Sequence, residues 1–287
     1  MRERYVAPLE DRLDRSVAGN TKLSRKKART IIGRGGVRVD GTITTHPAAT
    51  VTLGAVVEVR TVADLEDTPE LPVRYKDRYL MVVDKPAGLP SQGTREGKRV
   101  HVYGLLSARE RYVGLHHRLD TPASGLLLVT RDPGVNPDIA DAFREGTIRR
   151  TYLIVVVGDP GERGEWTNPI DGETAHTRFK RLNRNEGMSL LAVRLMTGRT
   201  HQIRRHAAEA GFPVVGDRRY GHAAGRAWPR LALHAWKLDL YHPLTDAPIA
   251  VVAPVPGDLL ELVVRAGGVP EDQQPAVLSA PASAGEE

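Results

Sequence analysis

The run Leu126-Leu127-Leu128-Val129-Thr130 constrains the fold of this chain most. It is continuous in apolar side chains where an amphipathic strand would alternate, and it sits between Ser124-Gly125 and Arg131-Asp132-Pro133. A short apolar run bounded by turn residues reads as a fully buried strand. TYLIVVVG (151–158) is a second such run, rich in β-branched residues and stopped by Gly158. YLMVVDKP (79–86) and SLLAVRLM (189–196) add two strands, and LALHAWKLDLY (231–241) and IAVVAP (249–254) two late ones. Helical spacing intervenes. NPDIADAFREG (136–146) places Ile139, Ala140 and Phe143 on one face, and THQIRRHAAEAG (200–211) offers Thr200 as a cap, Ile203, Ala207 and Ala210 as a face and Gly211 as a stop. The expectation is an α+β domain over 73–262, a mixed, mostly antiparallel sheet with flanking helices.

Charge separates the start of the chain from the rest. Residues 11–60 hold ten Lys/Arg against four Asp/Glu, an excess equal to the whole net charge of +6. A basic block so concentrated points to an anionic polymer. The same stretch reads as a small α/β module. Ser24 caps a helix in SRKKARTII whose buried face is Ala28, Ile31 and Ile32, leaving Arg25, Lys26, Lys27 and Arg29 largely on the open side. Glycines 33, 35 and 36 end it, VRVDGTI turns at Asp40-Gly41, and VVEVR (56–60) closes the module. Residues 1–62 are therefore expected as one domain, 63–72 as a linker and 263–287 as a disordered, Pro- and Ala-rich tail.

The chain has no cysteine, which excludes disulfides, Cys–zinc sites and thiol catalysis. It has no secretory h-region and no apolar run near the roughly 18 residues of a spanning helix, so a cytoplasmic protein without a membrane partner is expected.

The segment HHRLDTPASGLLLVTRD (116–132) puts a lone carboxylate, Asp120, between a basic cluster and the buried run. It resembles the signature of the RluA-type pseudouridine synthases, in which the aspartate of an H-R-L-D run is catalytic. Four further segments match in order. They are DKPAGLP (84–90), with Asp84 where the family usually has Asn; RRTYLIVVVG (149–158), with Arg150 in a Lys position; LMTGRTHQIRRHAAEAGFPVVGDRRYG (195–221); and LHAWKL (233–238). Residues 11–60, with DRLDRSV, the SRKKA helix start and the GVRVDG hairpin, are similar to an S4-type RNA-binding domain. Ala123 departs from the family, which usually carries Thr before Ser124-Gly125.

The resemblance implies a pseudouridine synthase fold behind an S4-like domain, and conversion of uridine to pseudouridine without metal or cofactor. The N1–C1′ bond is broken, the uracil turned and rejoined through C5. Asp120 would attack C1′ or take a proton from C2′, and the residues leave both routes open. The chemistry needs Asp120 ionised in a closed pocket. Arg199 is the candidate guanidinium to hold it so, with Arg204 second; Tyr152 matches the tyrosine that packs on the uracil. Base flipping is implied, with Arg118 entering the vacated space and His117 on a phosphate; His201, Gln202 and Arg204 complete the expected substrate contacts. Arg25, Lys26, Lys27, Arg29, Arg34 and Arg38 are the expected RNA-binding set. The partner is RNA, ribosomal RNA favoured and tRNA possible, with no DNA, and the protein a monomer.

Other readings of these residues are weaker. His116, His117 and Asp120 as a metal site lack a second cluster with ligand spacing. A Ser124 nucleophile lacks the G-x-S-x-G context. Asp120 read alone is a turn residue with an Asx cap, and only the ordered motifs reverse that. A non-catalytic RNA-binding protein on the same fold is the alternative from another class.

Overall fold

The computed structural model describes residues 2–33, 35–44, 46–60, 71–93, 100–221 and 228–269. Two compact units divide the chain: Met1–Ile148 with Leu240–Val251, and Arg149–Asp239 with Val252–Glu287.

The first unit begins with a small layer that has its own core. Its elements are β1 (Arg2–Val6), β2 (Asp11–Arg12), α1 (Leu13–Asn20), α2 (Arg25–Gly33), β3 (Val37–Val39), β4 (Thr42–Ile43), β5 (Thr50–Val51) and β6 (Val56–Arg60). The strands form an antiparallel sheet in the order β1-β6-β3-β4 and a short β2-β5 pair. Leu13, Val17, Ala28, Ile31, Ile32, Val37, Val57 and Val59 fill the space between helices and sheet. The α2 N-terminus is capped as expected, with Lys27 N–H donating to Ser24 Oγ at 3.3 Å. The hairpin turns on Asp40 and Gly41, both at positive φ. A side chain at Gly33 would meet Ala108 Cβ at 2.9 Å, so glycine is needed where α2 ends.

The rest of this unit is β7 (Val73–Lys76), β8 (Leu80–Lys85), α3 (Val102–Ser107), β9 (Gly114–Leu115), β10 (Ser124–Thr130) and α4 (Asn136–Glu145). β8 lies antiparallel between β7 and β10, and β9 pairs with β10. Every residue of β10 is buried, as its unbroken apolar run requires. Gly146 ends α4 in the left-handed conformation.

The second unit holds β11 (Arg149–Val157), β12 (Arg163–Trp166), β13 (Thr177–Asn185), β14 (Met188–Leu195) and α5 (Gln202–Glu209), then most of β15 (Leu233–Tyr241), the end of β16 (Pro248–Val252) and α6 (Gly257–Arg265). Its ladder runs β12-β13-β14-β11-β15, antiparallel throughout. Two local expectations need correcting. The N-cap position of helix α5 is His201 and not Thr200, because the chain enters it through a left-handed residue at φ 55°, and its side chain makes no capping hydrogen bond. Helix α6 continues through Arg265, past the expected boundary at 262, on the buried face of Leu259, Leu262 and Val263. Most of the expected linker (63–70) and of the expected tail (270–287), and Arg34, lie outside the described residues.

Candidate active site

Asp120 closes a tight turn at the foot of β10, where Ala123 N–H donates to Asp120 O at 3.0 Å. Arg118 is exposed, Leu119 buried and Asp120 half-buried, the alternation of an extended approach that puts Arg118 and Asp120 on one side. Three residues tie the turn down, Lys85 at the end of β8 and Gly88 and Ser91 in the loop after it. Gly88, at φ 85°, donates its N–H to Thr121 O at 2.8 Å. Ser91 Oγ accepts from Leu119 N–H at 3.0 Å and donates to Leu119 O at 2.9 Å, as a neighbouring strand would. Lys85, wholly buried, donates to Thr121 O at 3.3 Å and Ala123 O at 2.5 Å from this turn, and to Pro86 O at 3.0 Å and Leu89 O at 2.7 Å on its own side. Asp84, the family's usual Asn, is held by Arg74 at 2.8 Å.

The two histidines before Asp120 face the protein. His116 Nε2 meets Thr130 Oγ1 at 3.2 Å, and burial lowers its pKa. His117 Nε2 accepts from Leu128 N–H at 2.9 Å, and its ring lies 5.0 Å from that of Phe143. Its Nε2 is thus an acceptor that serves β10. Among the described residues no group of three or more His, Asp or Glu side chains is arranged to hold a metal ion.

The second unit carries the other expected residues. Tyr152 is buried in β11 opposite Val193 of β14 and Ala235 of β15, where a β-bulge between Thr151 and Tyr152 shifts the register. Bulges re-aim a side chain relative to a regular ladder. The loop before α5 is built around Gln202. Its Oε1 accepts from Thr197 Oγ1 at 2.7 Å and Arg199 N–H at 2.9 Å, while its Nε2 donates to His176 O and Thr177 Oγ1, both at 2.9 Å. Those four bonds use the whole amide, so Gln202 is a buried pin of the loop and not the expected substrate contact.

Arg199 donates from Nε to Thr174 O at 3.0 Å and pairs through Nη1 with Glu173. Its guanidinium thus braces the turn at 170–174 in its own unit. Arg204 is far more deeply held. Its Nε and Nη2 meet the two oxygens of Asp217 at 2.8 and 2.9 Å, and Asp217 also accepts from Arg219 and Tyr220 N–H at 2.9 and 3.1 Å. Burial pushes the Asp217 carboxyl up, and these hydrogen bonds and the Arg204 charge outweigh it, so its pKa is lowered. The Tyr220 ring lies 5.1 Å below the Arg204 guanidinium, and its hydroxyl meets His201 Nδ1 at 3.0 Å. His201, Arg204, Asp217 and Tyr220 form one cluster at the start of α5. Asp217 and Lys85 were not singled out in the sequence, although both lie inside matched segments.

In the N-terminal layer, Asp14 is wholly buried and accepts from Arg12, Arg25 and Arg29, each at 3.0–3.1 Å through Nε. Burial raises its pKa, but the hydrogen bonds and charges of Arg12 and Arg25 override that and hold it at about 2. Lys26 and Lys27 are exposed and Arg38 half-buried.

Comparison with known proteins settles the family. Residues 79–209 match the family described as RNA pseudouridylate synthase. The chain is 34% identical over 281 residues to Ribosomal large subunit pseudouridine synthase D of Xanthomonas campestris pv. campestris, covering 84% of each. It belongs to the RNA pseudouridylate synthase family. This RNA pseudouridine synthase is also 32% identical over 226 residues to Ribosomal large subunit pseudouridine synthase C of Vibrio vulnificus, 71% of this chain and 70% of that one. Among solved structures it is similar to Human RNA Pseudouridylate Synthase Domain Containing 4. That match has a TM-score of 0.58 at 20% identity, covers 68% of this chain and 92% of the other, and concerns the fold alone. The chain is thus an isomerase acting on RNA, which excludes the non-catalytic reading.

Proposed function

We propose that this enzyme converts specific uridines of large-subunit ribosomal RNA to pseudouridine, with Asp120 as the group that attacks C1′ or takes the C2′ proton. The observation carrying it is the Asp120 turn, a half-buried carboxylate on a main-chain loop tied down at Lys85, Gly88 and Ser91. Such fixing serves a reaction in which one carboxylate must meet one sugar carbon. The names of the Xanthomonas and Vibrio relatives favour ribosomal RNA over tRNA. The net change is an isomerisation: N1–C1′ breaks, C5–C1′ forms, and the proton lost from C5 is matched by one gained at N1.

The remaining roles follow from the matched positions. Tyr152 packs on the uracil and takes part in removing the C5 proton, and Arg118, exposed beside Asp120, fills the space left by the flipped nucleotide. Arg204 rather than Arg199 is the guanidinium best suited to an active-site role, since Asp217 fixes it while Arg199 is engaged by Glu173 and Thr174. Residues 1–62 act as an S4-like RNA-binding domain. Its two helices and Asp40-Gly41 hairpin support that assignment, as do Arg25 and Arg29 fanned around Asp14 beside exposed Lys26 and Lys27.

Tritium release from RNA labelled at uracil C5 tests the reading. The wild-type enzyme releases tritium from large-subunit ribosomal RNA, and Asp120→Asn binds the same RNA and releases none. Release from tRNA alone would move the substrate to tRNA. Full activity of Asp120→Asn would end the mechanism.

A further inference from the structure

Residues directly opposite one another on antiparallel strands share a face of the sheet, so the register of the second unit sorts its charges. Thr151, Arg194, Arg178 and Glu165 form one row across β11, β14, β13 and β12. Leu153, Ala192, Lys180 and Arg163 form another. Between them runs the row of Tyr152, Val193, Phe179 and Gly164, which by the alternation of strands belongs to the opposite face. The face holding Tyr152 is covered, with Tyr152, Phe179 and Val193 all buried. The other is open at this end: Arg163, Arg178 and Lys180 are exposed and Arg194 is half-buried.

The open face sets like charges against one another. Arg163 lies opposite Lys180 and Arg178 opposite Arg194, an arrangement that costs a sheet stability. Glu165 answers Arg178 at 2.8 Å, but among the described residues no carboxylate pairs with Arg163, Lys180 or Arg194. Beside these rows, at the bulge between Arg181 and Asn183, lies a groove of about 370 Å³. Four cations line it, Arg163, Lys180, Arg181 and Arg184, against the single carboxylate of Glu162. Asp159 braces Arg181 and Arg184. Among the described residues, none of the exposed large apolar side chains lies on β11–β14. A membrane or a protein partner is usually anchored by such groups. Phosphate is held instead by guanidinium and ammonium groups. Arg178 and Lys180 stand two residues apart on one strand, about 7 Å, close to the step between successive phosphates of a nucleic-acid chain.

We propose that the β12–β14 face turned away from Tyr152 is a phosphate-binding surface, which holds the backbone of the RNA substrate beyond the nucleotides at the active site. β12 is the edge strand, so an RNA strand passing round it reaches both faces. This rests on the substrate being RNA and not on the role of Asp120. The surface adds affinity for long RNA and takes no part in the chemistry.

Arg163→Gln with Lys180→Gln removes the two unpaired charges of one row, and Arg163→Lys with Lys180→Arg keeps them. The probe is a transcript of large-subunit ribosomal RNA. The first variant should bind it on the order of tenfold more weakly, with the plot of log affinity against log salt flatter by about 1.5 units. The charge-keeping variant should match wild type. Single-turnover pseudouridine formation at saturating RNA should be unchanged in both. At physiological salt a charge more than about 8 Å from the RNA is largely screened, so a changed slope reports contact. The chain has no cysteine, so Lys180→Cys carries one thiol for a photoactivatable azidophenacyl label, and the labelled enzyme should crosslink to the transcript.

Unchanged affinity and slope in the glutamine variant would overturn the proposal, as would no crosslink from position 180. So would an equal loss in the charge-keeping variant, since shape and not charge would then matter. A loss confined to vesicles of phosphatidylglycerol and phosphatidylcholine, with RNA binding intact, would give the face to a membrane instead. If wild type binds and modifies tRNA and not the ribosomal transcript, the proposed substrate changes, and the same comparison on tRNA tests this surface.

Discussion

Arg204 and Asp217 lie thirteen residues apart and meet through two parallel hydrogen bonds, with 7% and 1% of their side chains exposed. Such a pair is costly to assemble and more costly to break on one side, because losing one charge removes compensation for burying the other. Asp217→Asn should lower stability by roughly 3–5 kcal/mol and the thermal midpoint by on the order of 10 °C. Differential scanning calorimetry measures this, and a midpoint within 2 °C of wild type would contradict it. Because the Asp217 pKa is lowered in the folded state, its contribution is present above the ordinary carboxylate range and lost as pH falls through the lowered value. The variant should therefore be less sensitive than wild type to acid.

A second consequence concerns Asp14. Its pKa of about 2 lies below its usual 3.8, so the stability it lends is complete above that value and disappears as pH falls through about 2. Asp14→Asn removes the acceptor shared by Arg12, Arg25 and Arg29. The half-exposed guanidiniums can turn to water, so the cost is about 1–3 kcal/mol and falls on residues 13–33. Hydrogen exchange at neutral pH should show faster amide exchange in α1 and α2 and unchanged exchange in β10 and β11. Uniform change across the chain would oppose a local anchor.

Lys26 and Lys27 lie exposed on α2. If they meet phosphates, Lys26→Ala with Lys27→Ala weakens RNA binding irrespective of sequence and flattens the plot of log affinity against log salt by about two units. Titrations from 50 to 200 mM salt read this directly, and the rate of the bound complex should not change. An unchanged slope would remove these lysines from the interface.

Gly216, the residue before Asp217, sits at φ 76°, and a side chain there would lie 1.8 Å from Arg230 O. Backbone cannot yield as a flexible side chain can. Gly216→Ala should destabilise by more than about 2 kcal/mol, through both the forbidden conformation and the clash. Denaturant midpoints decide it, and a neutral outcome would mean that the 216–217 turn can relax.

The elements most legible in the sequence were those whose burial leaves an unbroken apolar run. β8, β10, β11 and β14 were read almost to their ends, as were the α2 cap and the Asp40-Gly41 turn. β13 was missed. Its residues, TRFKRLNRN, bury only Thr177 and Phe179 fully and carry charge elsewhere, so no apolar pattern marks it. The α5 cap was misplaced because a left-handed His201 follows from a loop pinned by Gln202, a long-range fact. In the candidate site, Asp120 was visible through its motif, but Lys85 was not. A lysine at a strand end ordinarily points to water, and here its acceptors are carbonyl oxygens, two of them 36 and 38 residues away. Gln202 was misread for the complementary reason: it lies among expected contacts, yet its partners are all internal.

The carbonyl cage around Lys85 also bears on how the enzyme can vary. A cation that grips main-chain oxygens is indifferent to the side chains on either side of them, since every residue type presents the same oxygen. Ala123, wholly buried where the family usually carries threonine, still offers its carbonyl to Lys85 at 2.5 Å. The turn that bears Asp120 can thus drift in composition while its path stays fixed, so a substitution beside Asp120 leaves the main chain there in place.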